Sequence, residues 1–430
     1  MWSRVNLGEQ RTFGTTLVKW IVLGSLVGVL SGTASAVFLV VLNWATAVRI
    51  ANPYLLFLLP LAGFVIGWSY YRIGATAARG NNLVIEQVHL NKDPIPLRMA
   101  PMVLIGTVLT HLFGGSAGRE GTAIQMGSSL ADALRRVLKL EGEDRRMLVL
   151  AGISGGFGSV FGTPIAGFVF ALEAPSMGHI RYEGIVPCLT AALVGDLVTR
   201  AWGVTHTQYP ALAEIGINPM MLLAVLLAGI GFGWVALLFV ELLETIKHFS
   251  RKFIAYPPLR PVLGGLIVIG LTLLLGKQDY LGLSLPLIKD TMNGTGVEPL
   301  AFLLKVIFTA VTLGTGFVGG EVTPLFVMGA TAGYSIGRLL GIDPAFMAAL
   351  GFVAVFAGAS NTPLACTIMA VELFGGGSLL YVAVACFVAY LASGHRGIYG
   401  SQRIATPKIV GDILADESVE ALAKRRAGEK

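Results

Sequence analysis

Apolar runs long enough for a bilayer recur along the chain between short polar breaks, most clearly at 17–44, 219–240 and 261–275. A spanning helix needs about 20 predominantly apolar residues. The pattern therefore predicts an all-α, polytopic membrane protein. Other apolar segments, at Met99–Leu112, 122–138 and 323–340, are too short or too interrupted for simple spans. They predict tilted and re-entrant helices. The first run continues past the roughly 7–15 apolar residues of a signal peptide and lacks a cleavage site. It reads as a retained first span.

Composition agrees with this pattern. Hydrophobic residues make up 54% of the 430 residues and charged ones only 13%, against roughly 25% charged in soluble domains. A large soluble protein would need far more surface charge. The net charge of +6 falls in breaks at 4–19, 135–146, 247–260 and 424–426, which in a membrane protein mark cytoplasmic loops rather than nucleic-acid binding. Both termini are expected in the cytoplasm, with a tail too short for a regulatory domain. Cys188, Cys366 and Cys386 lie in apolar segments with no paired spacing and read as small core residues. The six histidines show no ligand spacing, and neither a metal nor an organic cofactor is suggested.

Two blocks of sequence repeat. Gly118, Glu120 and Thr122 return as Gly319, Glu321 and Thr323, at a separation of 201 residues. Thr163-Pro164-Ile165-Ala166 followed by Ala171 and Glu173 returns as Thr362-Pro363-Leu364-Ala365 followed by Ala370 and Glu372, at a separation of 199. The chain therefore reads as one membrane domain over 1–430, with a first repeat half at 15–215, a second at 216–405 and a short cytoplasmic tail at 406–430. Duplicated halves with short, glycine- or proline-interrupted segments are the sequence mark of repeat-built transporters, whose sites lie where the repeats meet near mid-membrane. Whether the repeats are inverted depends on the number of spans, and inversion is the expectation.

Acids inside membrane segments are costly and mark function by default. Glu120 and Glu321 each stand at the start of an apolar segment after flexible glycines, which suggests an ion pathway. Four segments would present helix N-termini to an anion: those at Gly80-Asn81-Asn82, Gly118-Arg119-Glu120, Gly319-Gly320-Glu321 and around Tyr399. Backbone N–H groups and the helix dipole favour negative charge there, and such a site also releases its ion readily enough for transport. Glu173 and Glu372, at the ends of apolar helices, read as structural anchors. Arg119 reads as a residue that holds its loop.

At these residues the sequence resembles the CLC family of anion channels and proton-coupled anion exchangers, over roughly residues 15–405. Its departures from chloride-selective members are Gly80-Asn81-Asn82-Leu83-Val84 in place of a Gly-Ser-Gly-Ile-Pro loop, Thr122 in place of a proline, and Glu321-Val322 in place of Ile-Phe. Ala174 stands where proton-coupled exchangers carry a second glutamate. With Gly397-Ile398-Tyr399, these resemble the fluoride/proton antiporter branch, CLC-F.

That resemblance implies a secondary transporter, not an enzyme, that exports fluoride in exchange for protons across a bacterial plasma membrane. It also implies a homodimer. Glu120 would be the gating, proton-carrying carboxylate. The anion would be bound by Asn81, Gly118, Glu321, Val322, Thr323 and Tyr399. A chloride/proton exchanger or a passive anion channel on the same scaffold is the alternative. A further class, an intramembrane serine protease, rests only on Gly152-Ile153-Ser154-Gly155, with no histidine in a matching motif to serve as its base.

Overall fold

A computed structural model describes residues 7–428 apart from Val410, Asp412 and Ala415, with side chains from Thr12 onward. Arg4 of the first basic cluster and the terminal Lys430 lie outside the described residues.

Two sets of eight helices follow one another. The first comprises α1 (Leu7–Ala51), α2 (Leu59–Ser69), α3 (Asn81–Leu90), α4 (Met99–Leu112), α5 (Glu120–Leu138), α6 (Glu143–Phe161), α7 (Pro164–Glu173) and α8 (Ile185–Ala201). The second comprises α9 (Pro219–Phe253), α10 (Leu259–Leu275), α11 (Leu285–Met292), α12 (Ala301–Gly314), α13 (Val322–Leu340), α14 (Pro344–Ser360), α15 (Pro363–Phe374) and α16 (Leu379–Ala392). A terminal helix, α17 (Val419–Ala427), closes the described chain. Strands β1 (Ser176–Met177) and β2 (Arg403–Ile404) pair in parallel.

Four helical stretches are long and apolar enough to cross a bilayer: Thr12–Ala51, Pro53–Leu90, Tyr182–Ala201 and Pro219–Phe253. Many of the others are short apolar helices of 10–17 residues, as the interrupted segments predict. At 45 residues and about 1.5 Å per residue, α1 is more than twice the length that a hydrocarbon core of about 30 Å requires. It packs along α8 in the same direction, with Gly24 against Pro187, Gly28 against Ala191 and Gly32 against Gly195. The carboxyl ends of α1 and α8 therefore point toward the same face.

The repeated sequence blocks explain the breaks between helices. In both halves one helix stops at a left-handed residue, Gly162 (φ 80°) after α6 and Asn361 (φ 60°) after α14. Glycine and asparagine tolerate that conformation. Thr163-Pro164 and Thr362-Pro363 then restart the chain with proline at the first helical position, where its missing N–H is no loss. The paired glutamates satisfy the exposed amides reciprocally. The Glu173 carboxylate accepts from Leu364 N (3.1 Å) and Ala365 N (2.8 Å) at the start of α15. The Glu372 carboxylate accepts from Ile165 N (3.0 Å) and Ala166 N (2.6 Å) at the start of α7. Each half caps the other's broken helix, so the anchoring role read from the sequence is what the hydrogen bonds show.

Glycine permits close helix crossings at matching places. A Cβ on Gly127 of α5 would lie 2.4 Å from the Gly152 carbonyl oxygen of α6, and one on Gly329 of α13 would lie 2.0 Å from that of Gly351 in α14. Small residues let backbones approach in this way where lipid supplies no hydrophobic drive. An aromatic layer fills the centre, with Phe157 stacked on Phe170 at 4.5 Å and Phe326 on Phe352 at 4.2 Å.

Candidate functional site

The two glycine-rich motifs meet directly. Gly118 N–H donates to Gly320 O (2.6 Å) and Gly320 N–H returns to Gly118 O (2.9 Å), forming an antiparallel bridge. A side chain at Gly118 would collide with Pro324 and with Gly320 O. The bridge aims the amino ends of α5 and α13 at a common point, where Glu120 sits fully buried.

The Glu120 carboxylate crosses to the other half. Oε2 accepts from Thr323 N (3.0 Å), and the Thr323 hydroxyl lies 2.8 and 2.6 Å from the two carboxylate oxygens. Arg119 adds its backbone N–H at 3.3 Å and its Nε at 3.4 Å. A carboxylate held by the first-turn amide and hydroxyl of a helix occupies the kind of seat that binds free anions.

Around this seat the structure leaves polar atoms without partners. Asn81 Oδ1, Glu321 Oε2 and Tyr399 Oη are each buried and make no hydrogen bond. They belong to one neighbourhood. A Cβ placed on Gly121 would lie 2.8 Å from Asn81 Nδ2 and 3.6 Å from Glu321 Oε2, and Tyr399 is an electrostatic neighbour of both Glu321 and Glu120. Buried polar atoms are nearly always hydrogen-bonded. Three orphans converging beside a seated carboxylate describe a site for a small polar guest.

Comparison with known proteins places this arrangement. Residues 62–394 match the family model described as voltage gated chloride channel. The chain belongs to that family. A chloride/fluoride channel protein of Pseudomonas syringae pv. tomato is 47% identical, over 94% of this chain and 91% of its own length. An H+/Cl− exchange transporter, ClcA, of Vibrio vulnificus is 27% identical, over 84% of this chain and 83% of its own length. Among solved structures, a CLC-type fluoride/proton antiporter superposes with a TM-score of 0.87 at 34% identity, covering 90% of this chain and 98% of that one. A slow cyanobacterial Cl−/H+ antiporter, at a TM-score of 0.75 and 20% identity, shares the fold.

Two sequence expectations change against this CLC frame. No helix follows Tyr399. The chain turns there and enters β2, and the next helix is α17. The Tyr399 hydroxyl is instead positioned by what lies behind it. Gln402 Nε2 donates to Ala174 O (2.8 Å) and Ser360 O (3.2 Å), its Oε1 accepts from Asn361 Nδ2 (2.8 Å), and its N–H donates to Tyr399 O (3.1 Å). Asn82 Oδ1 accepts from Ser401 N (3.1 Å), tying the α3 start to the same turn. Sequence reasoning missed Gln402 and Asn82 as positioning residues, because their partners lie far away along the chain. The second change concerns Gly118, whose amide is engaged by Gly320 O. Its place in the site is to permit close backbone approach.

The remaining expectations fall as follows. Asn81 opens α3 without using its side chain as a cap. Val322 opens α13, and Thr122 is buried with its hydroxyl 2.7 Å from that of Thr107. Ser154 donates to Cys188 O at 2.7 Å within a fully buried helix crossing, which is a packing contact and not a nucleophile beside a base. A cavity of about 540 Å³ lined by His206, Gln208, Tyr209 and Glu372 opens between the halves. Tyr209 is in turn an electrostatic neighbour of Arg119 and Glu120. Tyr209 thus links the wall of this cavity to the surroundings of Glu120.

Proposed function

We propose that this protein exports fluoride from the bacterial cytoplasm in exchange for protons, through Glu120. The observation that carries the reading is the carboxylate seated on Thr323, with the unpartnered Asn81, Glu321 and Tyr399 atoms beside it. Charged, Glu120 fills the anion seat. Protonated, it loses its attraction for the Thr323 N–H and hydroxyl, and leaves with its proton while an anion takes the same donors. One group then couples the two fluxes. Tyr399 would donate its hydroxyl to the bound anion, Asn81 its Nδ2–H, and Val322 a first-turn N–H, while the unpartnered Asn81 Oδ1 and Glu321 Oε2 can only accept.

The fluoride assignment is supported by the similarity to the fluoride/proton antiporter structure and by Glu321. A carboxylate facing fluoride, the smallest and most basic of the halides, repels it when both are charged. It binds well when a proton lies between them, as in an HF-like pair. Glu321→Gln keeps the shape and removes that proton chemistry. Its expected effect is a fall in fluoride-over-chloride preference of roughly tenfold, or about 1.4 kcal/mol, read from paired efflux rates. An unchanged ratio would remove Glu321 from the selectivity account.

The same reading places the protein in the bacterial plasma membrane with both termini cytoplasmic. It takes 15–215 and 216–405 as repeat halves, and two subunits as the assembly, each with its own pathway. Expression in a bacterial strain that lacks fluoride export tests it. Growth on fluoride should be restored; membrane-localised protein with no rescue would favour a chloride exchanger or channel instead.

A further inference from the structure

Behind the gating loop, three basic side chains gather with no carboxylate partner among the described residues. Arg49, near the end of α1, is only 8% exposed. Its side chain makes no hydrogen bond or ion pair among the described residues, and its Nε is buried and unpartnered. Lys305 of α12 is fully buried, and its ammonium donates to three neutral oxygens: Tyr280 O (3.2 Å), Gly282 O (2.8 Å) and Ser284 Oγ (2.8 Å). The His111 ring at the end of α4 has Nδ1 at 2.8 Å from Thr107 O and Nε2 at 3.0 Å from Ala117 O. Arg49, His111 and Lys305 are near neighbours.

The three surround the loops that carry the gate. A Cβ on Gly282 would lie 3.5 Å from an Arg49 guanidinium nitrogen and 3.8 Å from His111 Cδ2, and one on Gly114 would lie 3.7 Å from Arg49 Cδ. Gly282 N–H donates to Gly115 O at 3.1 Å, and Ala117, on His111, is three residues from Glu120. Buried cations are ordinarily paired or otherwise compensated, and an unpaired one is strongly destabilising. Lys305 meets its hydrogen-bonding needs with neutral oxygens; Arg49 does not. The hydroxyl of Thr46, one turn before Arg49 on the same helix face, is likewise buried and unpartnered. Two orphaned donors on one face, backed by two further basic groups, lack an acceptor with negative charge.

We propose that Arg49 and Thr46, backed by His111 and Lys305, form a second binding site for a small monovalent anion. It would sit on the side of the gate toward the face reached by the ends of α1 and α8. An anion displaced from Thr323 by the returning Glu120 carboxylate is held there before release, which keeps it from re-entering the seat. The existence of the site does not depend on fluoride transport; its place on the route rests on that proposed function.

Diffraction from crystals of the whole protein soaked in sodium bromide tests the site, and fluoride efflux from proteoliposomes tests the role. An anomalous peak beside the Arg49 guanidinium is expected in the wild type and not in Arg49→Gln. Arg49→Gln should raise the apparent KM roughly tenfold for fluoride offered from the face where α1 and α8 end, the scale of one hydrogen bond to a charged group, while saturating turnover holds. Arg49→Lys should keep KM within about twofold of wild type, since the charge is retained; it also serves as the folding control. No bromide at Arg49 in the wild type overturns the site. A peak with an unchanged KM in Arg49→Gln overturns the role. If the wild type moves no fluoride, the functional reading fails and the relay role with it, while the anomalous map still decides whether the site exists.

Discussion

Glu120→Gln should reduce fluoride-driven proton movement in proteoliposomes to that of empty liposomes. The carboxylate accepts from the Thr323 amide, the Thr323 hydroxyl and two Arg119 donors. An amide has one oxygen where the carboxylate has two, turns an NH2 group toward one set of those donors, and carries no titratable proton. The seat on α13 is then occupied poorly, and the exchange cycle has no proton carrier. Purified Glu120→Gln should retain the thermal stability of the wild type, because the Gly118–Gly320 bridge and the reciprocal Glu173 and Glu372 caps do not involve it. Intact proton coupling in this variant would remove Glu120 from the centre of the mechanism.

The largest effect on stability is expected at a residue with no polar chemistry. Gly329→Ala would put a methyl group 2.0 Å from Gly351 O and 2.6 Å from Gly351 C. Both obstacles are backbone, so no side chain can rotate away, and α13 and α14 would have to separate. Overpacking usually costs about 1–3 kcal/mol, and a clash of two backbones belongs at the top of that range or above it. The same separation would move Thr323, because it rides on α13. Little or no folded protein should be recovered by size-exclusion chromatography in detergent. Gly270→Ala in α10 is the matched control, with nothing within 4 Å of the new methyl, and it should melt at or above the wild-type temperature. Equal melting of the two variants would refute the close-crossing account.

Much of this fold is legible in the chain because its irregularities are local. A segment such as Met99–Leu112 is too short to span, and Thr163-Pro164 and Thr362-Pro363 announce restarted helices through a proline at the first helical position. Glu120, Glu321 and Thr323 stand out because acids and hydroxyls beside glycines are conspicuous in apolar sequence. What was not legible depends on contacts across the chain. Glu173 caps a helix that begins 190 residues later in the sequence, and nothing around Glu173 names that partner. Gln402 lies in an unremarkable polar stretch and matters only because Ala174, Ser360 and Asn361 converge on it. The turn at Tyr399 reads as a helix start by analogy with the other three segments. The pairing of β2 with β1, and the hydrogen bonds of Gly400 and Gln402 to Glu420 and Val419, hold it extended instead. Arg49 ends an apolar run like any interfacial arginine, and only the fold shows that it is buried with no carboxylate partner among the described residues.

The central claim is that one carboxylate couples fluoride to protons. Proteoliposomes loaded with equal fluoride and chloride, read with both ion-selective electrodes and an external pH electrode, test it most directly. The account predicts fluoride efflux well ahead of chloride, with matching proton uptake that stops when fluoride is omitted. Chloride leaving as fast as fluoride, or fluoride leaving with no proton uptake, would contradict it.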